Sequence, residues 1–504
     1  MQTQDQAAAT RKRKPTVKYP RIDWYQASKH MAFAIICGLV CGLGSIVLCL
    51  CVQWAHNMFV NHHWLIWTLP AMGVLEVLLY QWWKLPVDTT TESVINKIRT
   101  GKPITIVLAP AIILATAMSI FSGGSVGKEA GALQMGGSIG YNVGKPFHLR
   151  NVFYEREDGE MFANRYTAAT GMAAAFSALF FSPLGSLMFI YELLHFQCLR
   201  YVVSMLVACF VAYYVARLSG IGDIIAKVTI PQIDWKIVGF CIIIGVACAL
   251  GGTIFSFLVH LLHEISQRIT KQYWIWTIIG GCAVTALVVS CGWWKFSGTG
   301  GELLNQTIME PNVSWDFVPK MILSVLCLGL WFKGGEIMVS LCMGGLLGAA
   351  CAAMTGCSPM FGAALGAMCF FAAFDRCPLG SFLMGCEIFG WAMAPMLAIG
   401  IFVAFMFSYP VGMYGAGIQL LITKDWIKVR STFLGVEQQD VAVSNKGPIA
   451  MIDELATGVD EVMHTRSDAA VRKLESEVEA AQAARAEATQ QHKKHEQHQS
   501  QTQK

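Results

Sequence analysis

The sequence predicts an all-helical membrane protein built from two related halves. Three observations predict it. The 504 residues are 55% hydrophobic and only 14% charged, with a mean hydropathy of +0.49, whereas a soluble domain carries about a quarter charged residues. Apolar stretches recur from about Met31 to about Ile422. A set of glycine, proline and glutamate motifs then occurs twice, in the same order.

The clearest apolar stretches are Ala32–Cys51, Ile104–Ile120, Leu199–Ala216, Ile237–Leu258, Trp274–Val289, Met321–Trp331 and Met393–Phe407. A spanning helix needs roughly 20 apolar residues, and several of these fall short. Short, glycine-interrupted segments predict helices that break or end within the membrane. Such backbone is tolerated only where it lines a cavity or packs on protein.

Arg11, Lys12, Arg13, Lys14, Lys18 and Arg21 precede the first apolar stretch, so the positive-inside rule puts the N-terminus in the cytoplasm. That first stretch is too long and too far from Met1 for a cleavable signal peptide. Three regions follow: a basic cytoplasmic segment 1–28, a membrane domain 29–425, and a polar cytoplasmic tail 426–504. The tail is rich in Ala, Glu, Lys and Gln from about Asp468 to Lys493, which reads as an exposed helix within an otherwise largely disordered segment. Cysteines such as Cys37, Cys41, Cys241 and Cys248 lie inside apolar stretches without metal-ligand spacing and read as packing residues. No metal or cofactor is expected. The 12 histidines show no HExxH spacing, and there is no nucleophile elbow or Walker loop, so nothing points to an enzyme. The basic arm reads as a topology signal and no nucleic-acid partner is expected.

The repeat carries most of the structural information. Pro183-Leu184-Gly185-Ser186 is followed by Glu192, and Pro378-Leu379-Gly380-Ser381 by Glu387, each nine residues after the proline. Upstream, Met135-Gly136-Gly137 and Gly140 match Met343-Gly344-Gly345 and Gly348. Before these stand Gly127-Lys128-Glu129 and Gly334-Gly335-Glu336. The separations are 208 from Met135 to Met343 and 195 from Pro183 to Pro378. Repeats of this kind mark transporter folds with a binding site where the repeats meet, near mid-membrane.

Ser122-Gly123-Gly124-Ser125-Val126-Gly127 leads into a helix expected from Ala130 to about Val143. The first N–H groups of a helix lack intrahelical partners and carry partial positive charge. Glycines ahead of them let an anion approach the backbone. Such a site would bind a halide without a full cation buried beside it, and the weak binding suits rapid passage. Glu129 stands in the first turn. Its carboxylate and an anion compete for the same partial charge, so protonation or a side-chain swing would vacate the site. In a soluble protein this glutamate would merely stabilise the helix; within a membrane, ionisable residues are costly and mark function.

At these residues the sequence resembles the CLC family of chloride channels and chloride/proton antiporters, as a divergent prokaryotic-type member without CBS domains. Gly127-Lys128-Glu129-Ala130-Gly131, with Gln134 and Gly136-Gly137, is similar to the family's Gly-(Lys/Arg)-Glu-Gly-Pro element. Phe180-Phe181-Ser182-Pro183-Leu184-Gly185, continuing to Glu192, resembles its proline-headed helix, and Met413-Tyr414-Gly415-Ala416 its tyrosine element. The resemblance spans about residues 30–425. It implies an inverted-repeat fold with tilted and re-entrant helices, a homodimer with one pore per subunit, and both termini in the cytoplasm. It also implies Glu129 as external gate and Tyr414 as a hydroxyl ligand of the central anion, with Gly127, Lys128 and Ala130 around the site.

Three departures stand out. Where the family has Gly-Ser-Gly-Ile-Pro, this chain reads Val87-Asp88-Thr89-Thr90-Thr91, so the second anion ligand falls to Asp88, Thr89 or Thr90, any of which could instead cap the helix expected near Glu92. Gly334-Gly335-Glu336-Ile337-Met338-Val339 replaces the family's Gly-(Ile/Lys)-Phe-x-Pro, with Glu336 and Ile337 on the expected anion path. Glu336 is either a second gate or proton carrier, or a first-turn glutamate facing solvent. Glu192-Leu193 stands where exchangers carry two glutamates, leaving Glu192 or His195 as the inner proton relay.

The combined reading is transmembrane passage of a small anion, chloride first, through a pore gated by Glu129. Leu193 leans this toward a voltage- or pH-gated chloride channel in the cell membrane. The alternative is an anion/proton antiporter carrying chloride or, second to it, fluoride. A reading from another class is a non-conducting membrane scaffold or sensor.

Overall fold

The computed structural model describes residues 23–150, 159–221, 225–226, 228–309, 315–408 and 412–414. Most of the basic segment, the tail 426–504, Gly415 and Ala416 lie outside the described residues. The architecture is all-helical. In chain order the helices are α1 (Trp24–Asn61), α2 (Leu69–Trp82), α3 (Thr91–Arg99), α4 (Leu108–Phe121), α5 (Glu129–Gly144), α6 (Gly159–Phe180), α7 (Pro183–Leu193) and α8 (Val202–Ser219). The second half comprises α9 (Trp235–Ile269), α10 (Tyr273–Cys291), α11 (Gly301–Met309), α12 (Phe317–Gly329), α13 (Ile337–Thr355), α14 (Pro359–Asp375), α15 (Pro378–Phe389) and α16 (Ala394–Phe407).

Every apolar stretch of the sequence analysis overlaps one of these helices. Asp23 and Asp234 start the two longest, α1 and α9: the Asp23 carboxylate accepts from the N–H groups of Tyr25 and Gln26, and that of Asp234 from Ile237. With 38 and 35 residues they run ~57 and ~53 Å at 1.5 Å per residue, longer than the ~30 Å hydrocarbon core. Helices α7 and α15 have 11 and 12 residues, too few to cross. Each begins with proline, whose missing N–H costs nothing at that position. On α1, Leu39, Leu43, Val47 and Leu50 are exposed while Phe33, Cys37, Cys41 and Leu48 are buried. The helix is apolar on both faces, as a lipid-facing helix must be.

The two halves pack by the same device. Gly136 and Gly140 of α5 lie against Gly171 of α6, and Gly344 and Gly348 of α13 against Gly366 of α14, so closely that a Cβ at Gly171 or Gly366 would meet the facing backbone. Small residues allow such approach where lipid offers no hydrophobic drive. The halves then join through two reciprocal contacts. Gly127 N–H donates to Gly335 O (2.5 Å) and Gly335 N–H to Gly127 O (2.6 Å), an antiparallel bridge. At the second contact, Glu192 at the end of α7 accepts from the N–H groups of Leu379 (3.0 Å) and Gly380 (2.6 Å) at the start of α15. Glu387 at the end of α15 accepts from Leu184 (3.1 Å) and Gly185 (2.8 Å) at the start of α7, and from the Ser182 hydroxyl. Each helix thus caps the other, so they run antiparallel about a two-fold axis, the relation that inverted repeats require.

The bridge also corrects the alignment of the repeat. The sequence matched Gly127-Lys128-Glu129 with Gly334-Gly335-Glu336. In the structure Gly127 pairs with Gly335, the same 208-residue separation that relates Met135 to Met343. Glu336 is therefore the counterpart of Lys128, and Ile337 that of Glu129. The helix starts agree: Lys128 and Glu336 are the N-caps of α5 and α13.

Candidate functional site

The site lies where the Gly127–Gly335 bridge brings the starts of α5 and α13 together. Glu129 is the first residue of α5, one earlier than expected, and is fully buried. Its Oε2 accepts from the Lys128 N–H (3.0 Å) and, across the axis, from the Met338 N–H (3.3 Å) in the first turn of α13. The carboxylate thus sits where the other half's helix N-terminus offers free donors and partial positive charge. Ala130 and Ile337 are buried on either side.

Glu336, the N-cap of α13, is buried rather than facing solvent. The Tyr414 hydroxyl donates to its Oε1 at 2.5 Å. Tyr414 is itself fully buried, and Arg99 of α3 holds its main chain by donating to Tyr414 O (2.8 Å) and Leu193 O (2.8 Å). Beside them Gln134 of α5 donates to the Thr91 hydroxyl (3.0 Å), and the Gln134 Oε1 is buried without a partner. The arrangement is two carboxyls at one helix start, with a phenol, an amide and a threonine beneath. It can bind a small anion through neutral donors, and it can hold protons.

The segment before α3 takes the capping alternative of the sequence reading. Asp88 is exposed, the Thr89 hydroxyl donates to Pro86 O (2.7 Å), and Thr90 caps α3 by accepting from the Ser93 N–H (3.2 Å). Thr91, one residue on, opens the helix, is buried, and is the threonine whose hydroxyl meets Gln134.

Two buried lysines flank the path, where the sequence reading foresaw no full cation. The Lys320 ammonium donates to the Ser125 hydroxyl (2.9 Å) and the carbonyls of Phe296 (3.0 Å) and Gly298 (2.8 Å), fixing the glycine loop ahead of Glu129. The Lys333 ammonium donates to the carbonyls of Val87 (2.5 Å) and Thr89 (3.1 Å), and its N–H donates to Glu76 (2.8 Å). Both turn carbonyl oxygens of the loops onto themselves and so fix the backbone on either side of the site. A cavity of about 800 Å³ opens beside Lys128 and Met338 and is lined also by His56, Glu302, Asn305 and Gln306.

Residues 72–409 match the family model described as voltage gated chloride channel. The chain belongs to the CLC family. Among CLC relatives, a "chloride/fluoride channel protein" of Pseudomonas syringae pv. tomato is 29% identical over 77% of this chain and 86% of its own length. An "H(+)/Cl(-) exchange transporter ClcA" of Vibrio cholerae is 28% identical over 45% of this chain and 49% of its own. The crystal structure of a CLC-type fluoride/proton antiporter superposes with a TM-score of 0.71 at 23% identity, covering 78% of this chain and 98% of that one. A slow cyanobacterial Cl-/H+ antiporter gives 0.63 at 18%, covering 79% and 98%. These structures share the CLC fold of two inverted repeats with tilted and re-entrant helices.

Within this CLC framework the structure gathers Gly127, Lys128, Glu129, Ala130, Glu336, Ile337 and Tyr414, and it leaves Asp88, Thr89 and Thr90 to one side. Thr91, in the same segment but beyond the three residues picked out from the sequence, is the one whose hydroxyl meets Gln134. Glu192, read as an inner relay, is fully buried with both oxygens engaged by α15. Leu193 is buried too.

Proposed function

We propose that the protein carries a small halide, chloride or fluoride, across the cell membrane in exchange for protons, with Glu129 as outer gate and Glu336 as second proton-bearing group. One observation carries the reading: both carboxyls converge on the first turn of α13, Glu129 through Met338 N–H and Glu336 as the N-cap. While they are ionised they repel an entering anion, and protonation removes that repulsion, so anion entry is linked to proton uptake. Tyr414, Thr91 and Gln134 supply donors to the halide, together with the main chain around Gly127, Lys128, Ala130 and Ile337. The names of the relatives, which include both an exchanger and a chloride/fluoride channel protein, support a halide as cargo. The working unit is a homodimer in the lipid bilayer, with both termini and the tail 426–504 in the cytoplasm.

Gated chloride conduction is the second reading. Leu193 favours it, since an apolar side chain at the end of α7 carries no proton. The purified full-length chain in liposomes, loaded with chloride or fluoride and watched by a pH electrode, decides between them. Proton uptake driven uphill by the halide gradient supports exchange. Halide efflux without proton movement establishes the channel, and no flux from a folded protein establishes a scaffold.

A further inference from the structure

One carboxyl of the membrane domain belongs to none of these arrangements. Asp375 ends α14, is fully buried, and has no hydrogen-bond partner at either oxygen among the described residues. Arg376 follows it without neutralising it. With φ of 58° the chain turns left-handed at Arg376, and its guanidinium donates instead to Phe405 O (2.5 Å) and to the hydroxyl and carbonyl of Ser408 (2.5 and 3.2 Å). It also lies 4.0 Å from the Phe405 ring centre.

The Tyr414 hydroxyl, bound to Glu336, belongs to the turn that packs against the end of α14. Met413 N–H donates to Phe374 O (3.0 Å), which fixes the Tyr414 turn against the end of α14. On its other side the Cys377 thiol donates to Asp375 O (3.4 Å). Glu129 and Glu336 thus meet at the start of α13, and Tyr414 joins Glu336 to the turn beside the end of α14, which Asp375 closes.

The repeat sharpens the point. The separation that relates Pro183 to Pro378 relates Phe180 to Asp375, and Phe181, with φ of 52°, makes the same left-handed turn as Arg376. The first half fills this place with a buried phenyl ring, so the scaffold does not require an acid there. A carboxyl without partner is costly when buried, and more so at a helix C-terminus, where the dipole is unfavourable to negative charge. Intramembrane acids placed at such cost mark proton or ion paths.

We propose that Asp375 is the proton carrier on the inner limb of this path, doing what Leu193 cannot. The proposal rests on the exchange reading above. The Asp375 carboxylate takes a proton from the inner aqueous side and becomes a carboxylic acid. It gives that proton across intervening water to the Tyr414 hydroxyl, as the hydroxyl passes its own proton to the Glu336 carboxylate. Asp375 returns to its carboxylate, Tyr414 is unchanged, and Glu336 holds the proton for Glu129.

The test is Asp375→Asn in the full chain, reconstituted beside the unmodified protein and assayed with a halide electrode and a pH electrode. Halide flux is expected to persist while proton counter-movement falls at least tenfold, and the variant in detergent melts no lower than the unmodified protein. Asp375→Ala gives the same result and carries the test if the asparagine chain does not fold. Unchanged proton-to-halide stoichiometry in either folded variant overturns the proposal, as does loss of both fluxes together. An unmodified protein that moves halide without protons instead sinks the exchange reading itself.

Discussion

Gly127 and Gly335 hold the same place in the two halves, yet the residues after them differ in chemistry: Lys128-Glu129 on one side, Glu336-Ile337 on the other. Around this pair nearly everything is duplicated, including the helix starts, the glycine packing of α5 on α6 and α13 on α14, and the reciprocal caps of α7 and α15. Beyond the capping pair Glu192 and Glu387, the acids of the site are not duplicated: Glu129 corresponds to Ile337, Glu336 to Lys128, and Asp375 to Phe180. Duplication builds a scaffold whose two halves present helix starts to a common centre, and the places where the halves depart from each other hold the groups that can carry charge. A sequence repeat is informative here twice, first by its matches and then by its mismatches.

The comparison breaks most severely at the bridge itself. A Cβ at Gly335 would stand 2.7 Å from the Ala130 nitrogen and 3.1 Å from its Cβ, and backbone cannot yield as a flexible side chain does. Gly335→Ala is expected to cost at least the ~1–3 kcal/mol typical of overpacked cores, read as a lowered melting temperature in detergent, with loss of halide flux. Gly239→Ala on α9 is the control, because no atom lies near a Cβ there; it leaves stability unchanged or slightly raised. A Gly335→Ala chain as stable as its control would mean that the halves are not held at this point.

The two carboxyls at the start of α13 come next. Ionised Glu129 occupies the Met338 N–H, and protonation releases it, so halide flux is expected to rise as pH falls and to decline as pH rises. Glu129→Gln removes that dependence and leaves flux high across the range, at least tenfold above the unmodified protein at the alkaline end. Glu336→Gln retains a pH-dependent gate and lowers the proton-to-halide ratio. Identical pH profiles for the two variants, measured by flux between pH 5 and 8, would show that they form one group rather than a gate and a carrier.

Much of this was legible in the sequence, for stated physical reasons. Helix positions followed from apolar length, and the start of α5 from the glycine run ahead of Glu129. Tyr414 followed from its motif. The register at Gly127 and Gly335 did not, because two adjacent glycines, Gly334 and Gly335, fit the pattern equally and only the bridge distinguishes them. Thr91 was obscured in the same way by three consecutive threonines, of which Thr89 and Thr91 are both buried and only Thr91 meets Gln134. The lysines were hidden for another reason. Lys320 and Lys333 flank the apolar stretch Met321–Trp331 and belong to no motif, and only the fold closes carbonyls from distant loops around each ammonium. Asp375 belongs to no motif at all; its oddity appears only when the second half is laid on the first.

The smallest effect tests the symmetry of the caps. Glu192 and Glu387 each accept two main-chain N–H groups from the partner helix, and a hydrogen bond to a charged group contributes about 1.5–3 kcal/mol. Glutamine in place of either retains one acceptor oxygen and loses the charge, so both variants should melt lower than the unmodified protein. The losses should differ in size. Glu192 is fully buried and its bonds to Leu379 and Gly380 are part-buried and buried, whereas the bond from Leu184 to Glu387 is exposed and water can replace that partner. Glu192→Gln is therefore expected to be the more damaging to stability. Proton coupling separates a cap from a relay: a Glu192 that only caps leaves the proton-to-halide ratio of the folded fraction unchanged in both variants. A ratio that falls in Glu192→Gln and not in Glu387→Gln would make Glu192 a carrier as well, and would extend the asymmetry of the acids to the one pair in which the two halves still carry the same residue.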